Sequence, residues 1–166
     1  MKANRSISIS AVFAAAIAGY VAYQWWDNPA RAVQRRLGEV AAALSAPDHE
    51  PDAARIARLA QLRRYLAADV RVRAGSSGPE ITSRDVLLGL VAGSTAPPGG
   101  RNVRFADVQV TLESDARARA YMTVELSARD SQTGQATVDA REANIGLEKR
   151  EDSWIITNAE QIETLH

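Results

Sequence analysis

An uncharged stretch, residues 6–26, is the feature that most constrains what this chain can form. A helix of about 20 apolar residues is roughly 30 Å long, which matches the hydrocarbon core of a bilayer. Lys2 and Arg5 precede the stretch and Asp27 follows it, so the positive-inside rule places the N-terminus in the cytoplasm. We therefore expect a single-pass signal-anchor in the inner (cell) membrane, with the remaining residues on the periplasmic or extracellular side.

The far end of this stretch carries a cluster of aromatic residues: Tyr20, Tyr23, Trp25 and Trp26. Such rings favour the headgroup region, so the cluster predicts the membrane interface. The competing interpretation is a cleaved signal peptide, because the Ala-Ile-Ala sequence at residues 16–18, before Gly19, has the form of a cleavage site. Cleavage there would leave an apolar, aromatic terminus, which favours retention. The predicted division is an anchor over residues 1–27 and one domain over residues 28–166.

Size, charge and cysteine content exclude several kinds of function for the second part. The chain has 166 residues, with 20 basic and 20 acidic side chains and no cysteine. A domain of roughly 130 residues is large enough to bury a hydrophobic core. The charge balance lacks the basic excess of a nucleic-acid-binding surface, so no nucleic-acid partner is expected. The lack of cysteine excludes disulfides, thiol catalysis and cysteine metal sites.

Two amphipathic helices are predicted after the anchor. Asn28 before Pro29 is typical of an N-cap with proline at the first helical position, and Pro47 ends the helix. A second helix begins near Asp52, and its predicted apolar side comprises Ile56, Leu59, Leu62 and Leu66. Its opposite side carries three arginines, Arg55, Arg58 and Arg63. This basic side could attract anionic headgroups or an acidic partner close to the membrane, although a solvated helix face is the commoner explanation.

A short strand and a third, brief helix follow. Residues 69–74 alternate with period two, which predicts the strand. Thr82 and Asp85 resemble a capping box that opens the helix. The predicted apolar side of this helix comprises Val86, Leu87, Leu90 and Val91.

The rest of the chain alternates with period two and predicts a meander of long antiparallel strands joined by short turns. The alternation changes parity near residues 106–107 and again near residues 141–142, and both changes predict β-bulges that curve the sheet. Met122 and Trp154 fit the apolar face of their strands. We therefore expect both side chains in the core.

This order of elements resembles the nuclear transport factor 2-like, or SnoaL-like, superfamily. The resemblance covers roughly residues 30–162 and includes the Ser-Arg-Asp-Val sequence at residues 83–86 and the Ser-Trp-Ile-Ile sequence at residues 153–156. It implies an α+β fold in which a cone-shaped, curved antiparallel sheet packs on two or three helices. The superfamily includes ketosteroid isomerases, polyketide cyclases, dehydratases, transport adaptors and membrane-anchored scaffolds. The fold alone therefore does not indicate which function a member has.

Catalytic members of the superfamily line the cone with a carboxylate base and proton donors, or with histidine and aspartate. The two histidines here are His49, between prolines, and His166, the last residue, so we expect neither a metal site nor histidine-dependent catalysis. The polar candidates near the expected cavity are Tyr65, Asp69, Tyr121, Glu142 and Asn144. Tyr65 is expected in the core with its hydroxyl at the edge, Asp69 at a helix end, and Glu142 at the second bulge.

Two functions remain open from the sequence. The favoured one is a non-catalytic, membrane-anchored binding or assembly module that contacts lipid and either protein partners or a second copy of itself. The alternative is a carrier or an enzyme of the isomerase or dehydratase type, which would hold a small apolar ligand in the cone. In that alternative Tyr65 would be the donor and Asp69 or Glu142 the base, with no cofactor.

Overall fold

A computed structural model describes residues 28–75, 78–94, 96–129 and 133–162. Their elements, in chain order, are α1 (Pro29–Leu44), α2 (Asp52–Tyr65), β1 (Leu66–Arg73), β2 (Glu80–Ile81), α3 (Arg84–Gly93), β3 (Arg101–Ser114), β4 (Arg117–Arg129), β5 (Ala136–Arg150) and β6 (Ser153–Gln161). The predicted anchor, its interface aromatic residues and the alternative cleavage site lie outside the described residues. Across the ranges just given, no helix combines the length and the apolar character that a membrane span requires.

The first helix begins as predicted. The Oδ1 atom of Asn28 accepts a hydrogen bond from the backbone N–H of Ala30 at 3.0 Å, and proline stands at the start of the helix. α1 buries Val33, Leu37 and Val40. This spacing of four and three residues places the three side chains on one side of the helix, against the sheet.

The second helix buries less of its surface than predicted. Leu62 and Tyr65 are buried, whereas Ile56 is exposed, so its predicted place on the apolar side is wrong. Six residues separate Ile56 from Leu62, which turns its side chain about 120° away around the helix axis. α2 ends at Tyr65 and β1 begins at the next residue, so Asp69 lies within a strand and does not close the helix.

The third helix begins one residue later than the predicted capping box allows. Its N-cap is Ser83, whose side chain makes no capping hydrogen bond, and Asp85 instead forms an ion pair with Arg63 on α2 at 2.9 Å. Leu87, Leu88 and Val91 pack against the core. The predicted burial of two other residues is wrong, since the opposite side of α3 is exposed and carries Val86 and Leu90.

The strands form a curved six-stranded sheet in the order β2-β1-β6-β5-β4-β3. Strands β3 to β6 make the predicted antiparallel meander. The expectation of a wholly antiparallel sheet is wrong, because β1 pairs in parallel with β6 and the sheet is mixed. A parallel pair needs a long connection, and here α3 and the entire meander supply it.

One predicted bulge is present and the other is not. The register of β3 with β4 shifts between Ala106 and Gln109, which confirms the first. The register of β4 with β5 is continuous through Arg141 and Glu142, so the second predicted bulge is wrong. The apparent parity change arises because β5 runs beyond the core there, and Val138 on it is exposed. A register shift is present instead between β5 and β6, where Gly146 pairs with Asn158 and Leu147 with Ile156, so that Thr157 is the extra residue.

The core lies between the helices and the sheet face turned toward them, called the inner face below. Met122 and Trp154 are both buried, as predicted. The sheet contributes Val70, Ala118, Ala120, Met122, Ile145, Leu147, Trp154 and Ile156 to this core. The opposite sheet face, called the outer face, is turned away from the helices and carries the polar residues of the same alternating strands.

Candidate functional site

The inner face of the sheet is where the superfamily resemblance implied an active site. Side chains with less than 2% exposure fill this space: Leu37, Leu62, Met122, Leu147, Val33 and Val70. Within the described ranges, no polar or charged side chain is buried. General acid–base catalysis needs a titratable group within hydrogen-bond reach of an enclosed substrate. Apart from the hydroxyl of Tyr65 at its edge, the described interior therefore provides packing contacts and supplies no such group.

Tyr65 belongs to this packed interior. The guanidinium carbon of Arg36 lies 4.6 Å from the centroid of its ring, which is a cation–π contact. The Tyr65 hydroxyl accepts a hydrogen bond from Nε2 of Gln61 at 2.7 Å. The ring is thus buried with its hydroxyl at the edge, as predicted, and the hydroxyl is already engaged within α2.

The other four candidates lie on the outer face, with Asn144 directly opposite Tyr121 in the pairing of β4 with β5. Tyr121 immediately precedes the inward-facing Met122, so its side chain points away from the helices. Glu142 lies next to it on β5, and the two side chains share a hydrogen bond. Asp69 lines a shallow depression on β1, and β6 separates it from β5. The structure thus joins Tyr121 to Glu142 and separates both from Asp69, while Tyr65 is on the opposite side of the sheet.

The Tyr121 phenol is held in its neutral form. The hydrogen bond that it donates to the Glu142 carboxylate raises the pKa of Tyr121 above its usual value of 10.0, and partial desolvation and the carboxylate charge act in the same direction. Tyr121 therefore remains a hydrogen-bond donor at neutral pH. A general base at this position would need the opposite shift.

Ion pairs between strands dominate the rest of the outer face. Arg104 pairs with Glu125 at 2.6 Å, and Arg119 pairs with Glu113 at 2.8 Å. Further carboxylate–guanidinium contacts are Arg117–Glu148, Arg150–Glu148, Arg73–Glu80 and Arg73–Glu160. Alternation of polar and apolar residues shows that these side chains are solvent-facing. It does not show which arginine lies beside which acid, because that depends on strand register.

Two shallow depressions, of about 440 and 490 Å³, lie side by side on this face. Both are lined by Glu148 of β5 and by Thr157, Asn158 and Glu160 of β6, so these four residues form their shared border. Sequence reasoning missed these residues. One signal was available, because a glycine within a strand often marks a close approach of another group, and Gly146 lies directly under the Asn158 side chain.

Comparison with known proteins gives a result only at the level of three-dimensional structure. No protein-family model matches the chain, and no curated protein sequence matches it. A nuclear transport factor 2-like protein with a cystatin-like fold from Novosphingobium aromaticivorans superposes with a TM-score of 0.64 at 11% identity, covering 86% of each chain. The domain has the nuclear transport factor 2-like fold.

Two further structures show how widely this nuclear transport factor 2-like fold is used. A proposed scytalone dehydratase from Novosphingobium aromaticivorans superposes with a TM-score of 0.63 at 14% identity, over 81% of this chain and 83% of that one. The association domain of CaMKII from C. elegans superposes with a TM-score of 0.58 at 9% identity, over 84% and 95%. At such identities the similarity concerns the fold alone, and the function depends on this chain's own residues.

Three arginines of α2, Arg55, Arg58 and Arg63, do not form the free basic side that the sequence suggested. Each has an acidic partner in the nuclear transport factor 2-like domain: Arg55 with Asp52, Arg58 with Glu50, and Arg63 with Asp85. The hydrogen bond from Arg58 lowers the pKa of Glu50, and the nearby positive charges add to the effect against partial desolvation. These three arginines therefore connect parts of the domain to one another.

A groove of about 540 Å³ runs between α1 and the edge strand β3 of this fold. Its apolar lining comes from Leu37, Val103, Phe105 and Val108, and Gly38 opens one wall. No group of three ligating side chains within the described ranges could hold a metal ion. Gln34, Ser45, Asn102 and Arg104 also line the groove, which therefore combines an apolar part with polar groups.

Proposed function

We propose that this chain is a non-catalytic assembly subunit, anchored by residues 6–26 in a membrane and carrying its folded domain on the far side. The outer face of the sheet would contact a protein partner, which is either a second copy or another subunit. One observation carries the proposal: the described interior is filled by apolar side chains, whereas the outer face presents rows of paired arginine and glutamate side chains.

The outer face has the properties of a protein-binding surface. It carries both signs of charge in neighbouring rows, and its two depressions meet at Thr157 and Asn158 of β6. Electrostatic complementarity of this kind gives orientation and specificity to protein contacts. In a twofold arrangement the same patch must be self-complementary, and rows that contain both arginine and glutamate satisfy that requirement. Tyr121 adds an aromatic ring, and tyrosine is a residue type enriched at interfaces.

The test is the mass of the particle that the full chain forms when extracted in mild detergent, measured by native mass spectrometry. We expect a stoichiometric protein partner or a defined homo-oligomer. The double charge reversal Glu148→Arg with Glu160→Arg should weaken this assembly at least tenfold. Asp52→Arg, a single charge reversal on the helical side, should leave it intact. A single-copy particle, or an assembly unaffected by the double reversal in a folded variant, would contradict the proposal.

A second candidate function is the carriage of a small apolar molecule, which the groove between α1 and β3 favours. Gly38 has open space around it, so a larger side chain there would fill the groove without displacing the core. We expect Gly38→Phe to abolish ligand retention if the groove is the site. The measurement is mass spectrometry of small molecules released by denaturing the purified chain. An empty extract from the unmodified chain would argue against this function.

A further inference from the structure

The groove between α1 and β3 continues into a second depression, where the loop after α1 meets the start of β3. This second depression has a volume of about 650 Å³. The two cavities share Ala42, Ser45 and Asn102, so together they form one trough, called the α1–β3 trough below. The trough follows β3 from Arg101 to Val108, which is roughly 20 Å at about 3.3 Å per residue.

The α1–β3 trough is apolar toward one end and basic at the other. Alternate side chains of a strand point to the same side, so Arg101, Val103 and Phe105 follow one another along the trough. Leu37 and Gly38 of α1 belong to the wall of its apolar part. A ligand that matches this lining has an apolar chain with one polar end.

The charged residues of the lining are all basic. Three arginines line the trough, and no acidic side chain of the described residues does. Two of the three are compensated by carboxylates from outside the lining, since Arg58 pairs with Glu50 and Arg104 pairs with Glu125. Arg101 forms no ion pair with a carboxylate of the described residues. The uncompensated charge of the lining therefore lies at the Arg101 end, and it suits a ligand with a single negative charge.

The guanidinium of Arg101 has an unused hydrogen-bonding edge. Its Nη1 atom donates to Oγ of Ser94 at 2.7 Å, whereas its Nε atom is shielded from solvent and has no acceptor among the described residues. A shielded donor without a partner is unfavourable, because it has lost its water and gained no protein contact. The same edge of Arg58 holds both oxygens of Glu50, so an external carboxylate matches this edge of Arg101. Arg84 also has a shielded Nε without an acceptor, but it lines neither part of the trough.

The backbone of β3 beside the basic end is already hydrogen-bonded, which argues against a peptide strand as the occupant. The N–H and C=O groups of Arg101 bond with Ala46 at 2.7 and 2.8 Å. The N–H group of Val103 donates to Oγ of Ser45 at 2.9 Å. A peptide adds to an edge strand through such backbone groups. An aliphatic chain needs no hydrogen bonds and fits this surface better.

We propose that the α1–β3 trough binds an aliphatic carboxylate, whose carboxylate pairs with the Nε edge of Arg101 and whose chain lies along Val103 and Phe105. The inference rests on the second candidate function, the carriage of an apolar molecule, and names the chemical class of that molecule. A lipid acyl chain spans half of a hydrocarbon core of about 30 Å, or about 15 Å. A chain of this length fits within a trough of roughly 20 Å.

The test uses a palmitic acid analogue that carries a photoreactive diazirine near the end of its chain. The full chain in mild detergent is irradiated with increasing concentrations of this probe, and the labelled peptides are located by mass spectrometry. We expect labels on α1 and on the first half of β3, which line the apolar part. Unlabelled palmitate should displace the probe. Methyl palmitate has the same chain without the charge and should compete at least about tenfold less well.

Variants of Arg101 test the proposed contact. Arg101→Gln removes the charge and the paired donors, so the probe concentration for half-maximal labelling should rise at least about tenfold. Arg101→Lys keeps the charge without the paired donors and should give an intermediate value. The matched control is Arg35→Gln, which removes an equal charge from the exposed side of α1 outside the trough and should change the value less than about twofold. Circular dichroism checks the folding of each variant, and Gly38→Phe, which fills the apolar part, should abolish labelling even if Arg101→Gln does not fold.

The outcomes separate this inference from the carriage of an apolar molecule. Trough labels that methyl palmitate displaces as well as palmitate does, or that a folded Arg101→Gln variant retains in full, overturn the carboxylate contact and leave a groove for neutral ligands. Labels confined to residues 1–27 overturn both, and they leave assembly through the outer face untouched. Stronger displacement by an acetylated apolar tetrapeptide than by palmitate would assign the trough to a protein terminus and overturn the aliphatic ligand.

Discussion

Replacing Glu50 with glutamine should destabilise the domain more than removing an acid from the sheet. Nε and Nη2 of Arg58 donate to the two carboxylate oxygens of Glu50 at 2.8 and 2.9 Å, and Nη1 donates to the Ala43 carbonyl oxygen. The side chains of Arg58 and Glu50 are only 13% and 11% exposed. One guanidinium therefore holds together the end of α1, the connecting loop and α2.

The expected loss of unfolding free energy follows from the partial burial of the Arg58 and Glu50 side chains. An exposed ion pair contributes about 0–1 kcal/mol, whereas removing one partner of a fully buried pair costs about 3–5 kcal/mol. Glutamine keeps the shape of Glu50 but loses the charge that both Arg58 donors require. For a pair with this exposure we expect a loss of about 2 kcal/mol, which lowers the melting temperature of a domain this size by about 6 °C.

The loss of stability caused by Glu50→Gln should become smaller as the pH falls. The hydrogen bond from Arg58 lowers the pKa of Glu50 below its ordinary value of 4.5. Because the folded-state pKa is the lower one, the stabilisation is complete above the unfolded-state pKa and is lost as pH falls through the folded-state pKa. The difference between the unmodified chain and Glu50→Gln should therefore be constant from pH 7 to about 5.5 and should shrink below about 4.5.

The assay is thermal unfolding of the full chain in detergent micelles, followed by circular dichroism across this pH range. Glu125→Gln is the matched control, because Glu125 also pairs with an arginine, but the Arg104 side chain is 66% exposed. Its loss should stay below about 1 kcal/mol. Equal losses in the two variants, or a Glu50→Gln deficit that is as large at pH 3 as at pH 7, would refute the reasoning.

Three further substitutions test the packing of the domain. Gly146→Ala should cost about 1–3 kcal/mol in urea unfolding, because the added Cβ would overlap the Asn158 side chain, and adding Asn158→Ala should restore most of that loss. Gly100→Ala should cost at least about 1–2 kcal/mol by thermal unfolding, since its φ is +83° and the new Cβ would lie 2.9 Å from the Asp48 nitrogen. Met122→Ala should cost about 2–5 kcal/mol, because its fully buried side chain would leave a cavity.

The long strands were predictable because most of them bury one face. Ala118, Ala120 and Met122 alternate without interruption with polar residues, and all three are buried against the helices. The same reasoning failed at the start of β5, where the strand extends beyond the core. There Val138 lies on the exposed side, so an apolar residue carries no information about the inner face. The alternation of apolar and polar residues predicts the buried face of a strand only where that strand packs against the core.

Strand order and register could not be predicted from the sequence pattern. The parallel pairing of β1 with β6 joins segments that are far apart in the chain, and no local turn specifies it. The ion pairs of the outer face depend on the same register. Their residues could be assigned to the solvent side from alternation alone, but their partners could not.

For Tyr121 on β4, the alternation of the strand and the family resemblance predicted opposite faces of the sheet. Because Met122 belongs to the core, Tyr121 must point to the opposite face, since successive side chains alternate across a strand. Its pairing partner in the sheet, Asn144, lies on that face too, and Glu142 is two residues away. The alternation therefore already contradicted the placement of Tyr121 near an inner cavity, which came from the resemblance alone. Under the proposed function, a protein partner would bind the outer face, where it could reach the titratable groups of the sheet without disturbing the core.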